Sequence, residues 1–312
     1  MNKVLLIITV AGVQHYIFRS NKLKENVGAS YLVKNALEDG LLDSMKMVDA
    51  QKWFNSIQEP ARAQIYFRAK AQGEVIFMAG GNAVIIFQDA STAKRALFAW
   101  SRMLLKEAQG LRVASGLAKI DNMNLSIAYE NALQDLDKNQ NAPAFGHALP
   151  ALPVVRTCPS TGQPAVIYDP ASYIYLSAEA FKKRVAMGSE NKPGPAQIQA
   201  HNDFQEVLNT SKSFPLELEE LGGEKGQSRI AVVHIDGNDM GTELRTIYQA
   251  DLPVKEYIAA LRSFSAGLKS TAMCAFKDVM SLLYYNLHEL RQDHGLNLND
   301  NIFPLRPVVY GG

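Results

Sequence analysis

At 312 residues and 47% hydrophobic content, the chain is long enough to build two domains of ordinary size. Its 32 Lys and Arg against 31 Asp and Glu exclude a global basic field, so any contact with nucleic acid has to be local. The two cysteines, Cys158 and Cys274, lie far apart and exclude both a disulfide framework and a closed four-cysteine zinc site. No apolar run approaches the roughly 20 residues that span a bilayer. Val4–Val13 behind Lys3 lacks a small-residue cleavage site and reads as a first core strand rather than a signal peptide. A cytoplasmic location is expected.

Lys3–Val10 is predicted to be a strand buried on both faces, and Gln14–Leu37 a helix carrying Tyr16, Ile17, Leu23, Val27, Leu32 and Ala36. Gly28-Ala29-Ser30 places small residues inside that helix, where a neighbour should pack closely. Residues 53–62 read as a polar connection, and Ile65–Arg68 as a short strand. Glu74–Ala79 and Ala83–Phe87 form a hairpin across Gly80-Gly81-Asn82. Ser91–Ala108 follows as a helix with Ser91 at its N-cap, and Arg112–Ile120 closes the unit as a strand. This order of elements is the split βαβ arrangement of a ferredoxin-like domain.

From about residue 125 to 228 the pattern loosens into short helices, Leu125–Leu136, Ala178–Arg184 and Ala196–Leu208, with a Pro/Ala-rich stretch at 139–153 and a glycine-bearing hinge at 217–226. Thr157–Ala165 has the outline of half a zinc knuckle with Thr161 where a second cysteine would stand. One sulfur cannot close a tetrahedral site, so a tight turn before a strand at Val166–Tyr168 is the plainer reading.

Arg229–Gly241, RIAVVHIDGNDMG, is an apolar β-branched run breaking into Asp236-Gly237-Asn238-Asp239. A carboxylate at the tip of a buried strand, followed by a glycine and a helix start, suits a divalent cation held against a triphosphate. The bland alternative is a turn or N-cap aspartate. Pro253–Leu290 shows the cleanest helical period in the chain and is expected to lie across a sheet. Ile302–Tyr310 is predicted to be a further strand, running into Gly311-Gly312. The layout strand, helix, strand, Gly-Gly therefore occurs twice. In the first copy the position matching Asp236 falls at Val10–Ala11, and Gly80-Gly81 is followed by Asn82-Ala83, with no carboxylate at either place. Two-metal phosphoryl transfer needs several carboxylate oxygens, so the first copy is read as structural or allosteric.

Val13-Gln14-His15-Tyr16-Ile17-Phe18, Ser20-Asn21-Lys22-Leu23, Gly28-Ala29-Ser30-Tyr31-Leu32, Asp236–Gly241 and Tyr310-Gly311-Gly312 together resemble, in order over nearly the whole chain, the large palm-containing subunit of type III CRISPR effector complexes, or a two-palm relative lacking the HD nuclease. The resemblance implies an α+β chain: a degenerate ferredoxin-like palm at 1–124, a mostly helical linker region with the degraded knuckle at 125–228, and the first half of a second, nucleotidyl cyclase-like palm at 229–312. In that family of antiviral defence proteins the second palm makes cyclic oligoadenylates from ATP when target RNA is bound. Carried over, Asp236 would be the catalytic metal ligand for Mg²⁺ or Mn²⁺. Gly237, Asn238, Asp239, Gly311 and Gly312 would bind nucleotide, the last two as the glycines of a Gly-Gly-Asp-Asp hairpin. Other effector subunits and target RNA would be its partners. The two aspartates of that hairpin would lie beyond Gly312, so the chain is expected to stop inside the second palm, inactive as a fragment, with its last strand frayed or exposed. No His-Asp dipeptide of a nuclease domain occurs. A non-catalytic scaffold binding RNA or partner subunits, and a sensor that holds ATP without turnover, remain as alternatives.

Overall fold

A computed structural model describes residues 3–48, 53–55, 72–121, 124–142, 154–189, 191–208, 212–221, 231–233, 235, 237–250, 252–294 and 301–308. Its centre is strand β1 (Val4–Ala11), whose unbroken apolar run is buried from both sides. Val4, Leu6, Ile8 and Val10 face one core, and Leu5 and Ile7 the other, as the twofold alternation of a strand requires. β1 pairs antiparallel with β4 (Asn82–Phe87) on one side and β5 (Arg112–Lys119) on the other. β3 (Gly73–Ala79) flanks β4 antiparallel, and β2 (Trp53–Asn55) adds a parallel edge. The order β2-β3-β4-β1-β5 contains the ferredoxin-like arrangement expected of the first half, with one strand added. That added strand falls on Trp53–Asn55, where the sequence suggested only a polar connection; Ile65–Arg68 lies outside the described residues.

The first face of the sheet is covered by α2 (Leu23–Leu37), α3 (Asp39–Val48) and α4 (Ala90–Glu107). Trp100 is fully buried there, and its indole N–H donates to the Ala36 carbonyl at 2.6 Å. Each aliphatic side chain buried this completely contributes about 1.5–3 kcal/mol. The helix predicted over Gln14–Leu37 is broken into α1 (Val13–Ile17) and α2 by the turn at 18–22, where the Ser20 hydroxyl accepts from Lys22 N–H at 3.1 Å. α4 is capped two residues earlier than expected. Asp89, not Ser91, accepts from Thr92 N–H at 2.8 Å, because its carboxylate also takes the Thr92 hydroxyl.

The second face is covered by α5 (Leu125–Asn141), α8 (Met240–Gln249) and the first third of α9 (Val254–His294), with Tyr248, Tyr257, Ile258 and Leu261 in its core. α9 is one continuous helix of 41 residues, roughly 60 Å long. The predicted helix therefore lies across a sheet, but it is the sheet built by the first half of the chain. Beyond that contact α9 continues into a separate core where Met280 and Leu287 meet Phe204 of α7 (Pro195–Leu208), Phe214 and Phe303. Between the two modules lie the hairpin β6 (Ile167–Asp169) and β7 (Ile174–Leu176), α6 (Ala178–Met187), and the short pair β8 (Gly188–Ser189) and β9 (Lys192–Pro193).

The strand expected over Ile230–Ile235 is not formed at its described residues. Ala231, Val232, Val233 and Ile235 have no strand hydrogen bonding, and Val232 is 92% exposed. A β-branched run acquires strand structure from a neighbour, and no strand lies beside it among the described residues. Residues 302–308 likewise form a single bridge, Ser213 to Ile302, rather than a strand. Phe303 is fully buried; of the stretch expected to be frayed or exposed, only Val308 is among the described residues, and it is half-buried against the cores that include α2 residues.

Candidate active site

In a palm, the end of the first strand and the Gly-Gly hairpin stand side by side, and the first half of this chain builds that arrangement. Gly80 and Gly81 adopt φ of 57° and 78°, the paired positive values of a tight hairpin turn that side chains resist. The turn folds onto β1, where Val10 N–H donates to the Gly81 carbonyl at 2.8 Å. What surrounds the junction is apolar: a Cβ on Gly81 would meet Val10 and Val13. The absence of a carboxylate at Val10–Ala11 and Asn82–Ala83 is thus an absence at one spatial point. The polar side chain at these positions is the Asn82 amide, which donates to the Gly80 carbonyl at 3.0 Å, and no carboxylate stands there to hold a cation.

Of the residues expected to form the second site, Asp236, Gly311 and Gly312 lie outside the described residues. Gly237, Asn238 and Asp239 form an exposed turn into α8. Asp239 sits at the N-cap with φ of 57°, and its backbone carbonyl accepts from Thr242 and Glu243 N–H at 2.9 and 3.1 Å. Its carboxylate makes no capping bond. Tyr248, Leu244 and Ile247 hold α8 against the second face of the sheet, with Tyr248 stacked on Tyr129 of α5. Burial, with the neighbouring tyrosines, raises the Tyr248 phenol well above its ordinary value. The segment leading to the terminal glycines packs differently, since Val308 meets the α2 side of the sheet. The described flanks of the two expected half-sites therefore rest on opposite faces. Among the described residues, no group of three His, Cys, Asp or Glu side chains is placed to hold a metal.

The degraded knuckle is a real turn. Cys158 N–H donates to the Gln163 carbonyl at 2.8 Å and its own carbonyl accepts from Gly162 N–H at 2.9 Å. Where a second cysteine would stand, Thr161 shares a 2.9 Å hydrogen bond with Ser177. Burial opposes ionisation of the Cys158 thiol, but hydrogen bonds from Ser177 and Thr161 outweigh it and pull the thiol below its ordinary value.

Sequence reasoning missed the charged network that docks this turn and α6 onto α2. Lys183, 1% exposed, donates to Glu179 at 2.7 Å and to the Tyr16 carbonyl at 2.6 Å. Arg19 bridges Glu179 at 3.1 Å and the Thr161 carbonyl at 3.0 Å. Arg184 donates to the fully buried Glu25 at 2.7 Å and to Asp169 at 2.8 Å. Burial lowers Lys183 despite Glu179, and the same burial raises the Tyr16 phenol. Glu179 and Lys183 stand four apart on one helix, a pairing visible in the sequence, but its burial is set by α2. Gly28 allows the contact, because a Cβ there would lie 1.8 Å from the Lys183 carbonyl oxygen. Every titratable member has a partner from another element, so the network fastens the linker region to the palm.

No protein-family model matches the sequence, and no curated protein matches it. Solved structures do. A Csm1-Csm4 subcomplex in the type III-A CRISPR-Csm interference complex aligns at 18% identity and a TM-score of 0.32 over 45% of this chain and 18% of the other. A Csm1-Csm4 cassette in complex with cA3 aligns at 16% identity and 0.30 over 44% and 18%, and one in complex with AMPPNP at 17% and 0.32 over 45% and 19%. The chain thus spans about a fifth of the length of the chains it matches, and it is similar in part to those of Csm1-Csm4 complexes.

Proposed function

We propose that this chain is a two-palm protein of the kind found as the large subunit of type III CRISPR effectors, with residues 1–124 as a non-catalytic palm, 125–228 as the linker region and 229–312 belonging to a second palm. The observation that carries the reading is the first palm itself: a ferredoxin-like sheet whose Gly80–Gly81 hairpin is hydrogen-bonded to the end of β1, with uncharged residues where a catalytic palm has carboxylates. The same pattern of apolar run and glycines recurs in the sequence at 230–241 and 302–312, and there the apolar run is followed by Asp236.

In this reading Asp236 holds Mg²⁺ or Mn²⁺, hard cations that suit its carboxylate, and Asp239 offers a second uncommitted one. The turn Gly237–Asp239 presents backbone N–H groups at the start of α8 to phosphate oxygens, and Gly311 and Gly312 let a triphosphate approach closely. The bound metal supplies neutralisation of phosphate charge. The reaction class is attack of a ribose 3′-hydroxyl on the α-phosphate of ATP with release of pyrophosphate, giving an oligoadenylate. The test is the full-length protein with labelled ATP and Mg²⁺, separating products by chromatography. Asp236→Ala is expected to remove product formation, a loss of at least about 100-fold. Unchanged product would remove Asp236 from the mechanism.

A second reading, a non-catalytic scaffold for RNA or partner subunits, is favoured by the packing of Leu244, Ile247 and Tyr248 of α8 against one core of the first sheet and of Val308 against the other. Wild-type protein that yields no product from ATP with any activating RNA would support it.

A further inference from the structure

The outer face of α4 carries a stripe that neither palm uses. Lys94, Arg95, Phe98, Arg102 and Lys106 recur at three- and four-residue spacing and all are exposed, while Ala93, Ala96, Trp100 and Leu104 of the same helix are buried in the core. Phe98 is 65% exposed, although the core beneath had room for apolar residues at four other positions of the helix. The Arg102 guanidinium lies 6.0 Å from the centre of its ring. At the start of the stripe a shallow depression of about 500 Å³ is lined by Ala90, Ser91, Lys94, Arg95 and Phe98.

The charges on this face cancel only in part, with Arg95 near Asp89 and Lys106 paired with Glu107. Asp89 is turned back onto Thr92, where the backbone and hydroxyl bonds hold its carboxyl below the usual range. Glu107 lies between Lys182 at 2.9 Å and Lys106 at 3.4 Å, and the bond from Lys182 leads in lowering its carboxyl too. Lys94 and Arg102 form no ion pair among the described residues. A chain of net charge +1 therefore concentrates four cations along about 18 Å of one helix, with an aromatic face among them.

We propose that this stripe binds single-stranded nucleic acid, its cations following the phosphates and Phe98 stacking on a base beside the depression. A polyanion answers the charge, and an unpaired base answers an exposed ring flanked by arginine. An acidic protein surface would satisfy the cations but leave Phe98 without a role, and a duplex offers phosphates with its bases already stacked. The site is independent of Asp236, so it stands or falls apart from the ATP reaction.

The experiment is fluorescence anisotropy on the full chain with end-labelled twelve-nucleotide RNA and DNA single strands, the matching duplex and polyglutamate as probes. Single strands are expected to bind in preference to both duplex and polyglutamate, with log K falling against log salt at a slope of about −2 to −3 for four phosphate contacts. Lys94→Glu with Arg102→Glu should remove binding, and Phe98→Ala should weaken the single strands at least about fivefold without changing the salt slope. These positions are exposed, and unchanged circular dichroism and melting temperature will verify that each variant folds. No binding by folded wild type, equal affinity for polyglutamate, or single-strand affinity unaffected by Phe98→Ala would each overturn the proposal. A tighter RNA than DNA complex, or the reverse, identifies which single strand the site takes.

Discussion

At the scale of single residues, one carboxylate shows how a local turn and a distant helix share an acceptor. That carboxylate is Asp169, at the end of β6 where the turn to β7 begins, and facing α6. It accepts from Ala171 N–H at 3.1 Å, the Ser172 hydroxyl at 2.6 Å and Arg184 at 2.8 Å. Its partial burial acts to raise the carboxyl, but these donors outweigh that and hold it below its ordinary value of 3.8. Below pH 3.8 the unfolded chain therefore binds more protons at this position than the folded one. The stabilisation from Asp169 is complete above that pH and is lost as the pH falls toward the folded value. The melting-temperature difference between wild type and Asp169→Asn should accordingly be largest near neutrality and shrink on acidification below pH 4, as followed by circular dichroism. A difference that stays constant from pH 7 to pH 3 would mean that the Arg184 and Ser172 bonds do not favour the ionised form.

At the scale of elements, the junction between α9 and β3 shows how a long helix is fixed to a sheet. Arg262 and Glu74 form an ion pair with both side chains nearly sealed from water, and burial pulls the guanidinium down to about 10. One turn on, the Ser265 hydroxyl donates to the Met78 carbonyl at 2.8 Å and accepts from Met78 N–H at 3.2 Å. This lies just past the irregularity between Val75 and Phe77, where β3 leaves its regular register. Arg262→Ala strands a buried carboxylate and should destabilise the protein by about 3–5 kcal/mol in chemical denaturation. Glu74→Gln combined with Arg262→Met should restore most of the loss, because it removes both charges at similar volume. A single variant as stable as wild type would show that the pair is solvated in solution.

These elements also show what could be read in advance. β1, the β3–β4 hairpin, α4, β5 and α9 were legible because each carries its own period or its own turn glycines, which are local properties. The break at 18–22 was not legible, since Tyr16 and Leu23 fit one helical stripe and the Ser20 hydroxyl that stops the helix gives a weak signal. The strand at Trp53–Asn55 exists through its pairing with Gly73–Val75, a non-local fact. The Ile230–Ile235 run met the opposite fate: its β-branched residues predict a strand that its described residues do not form without a neighbour. Of the candidate site, the turn at Gly237–Asp239 was legible from its residue types. The side of the molecule on which it rests was not, because that is decided by Tyr248 and Tyr257 packing on a sheet far away in sequence.

At the scale of the whole molecule, one sheet organises everything described. Its first face carries α2, α3 and α4, its second carries α5, α8 and the start of α9, and a buried charged network joins α6 to α2. No described helix is long and apolar enough to cross a membrane. The proposed division of labour gives the first palm the role of a support and gives the nucleotide chemistry to Asp236. It is tested most directly by ATP binding to the full-length protein, measured by titration calorimetry with and without Mn²⁺ and repeated with Asp236→Asn. The account predicts binding that requires the metal and is lost, by at least about 100-fold in affinity, in the variant. ATP binding that persists without metal, or that Asp236→Asn leaves unchanged, would contradict it.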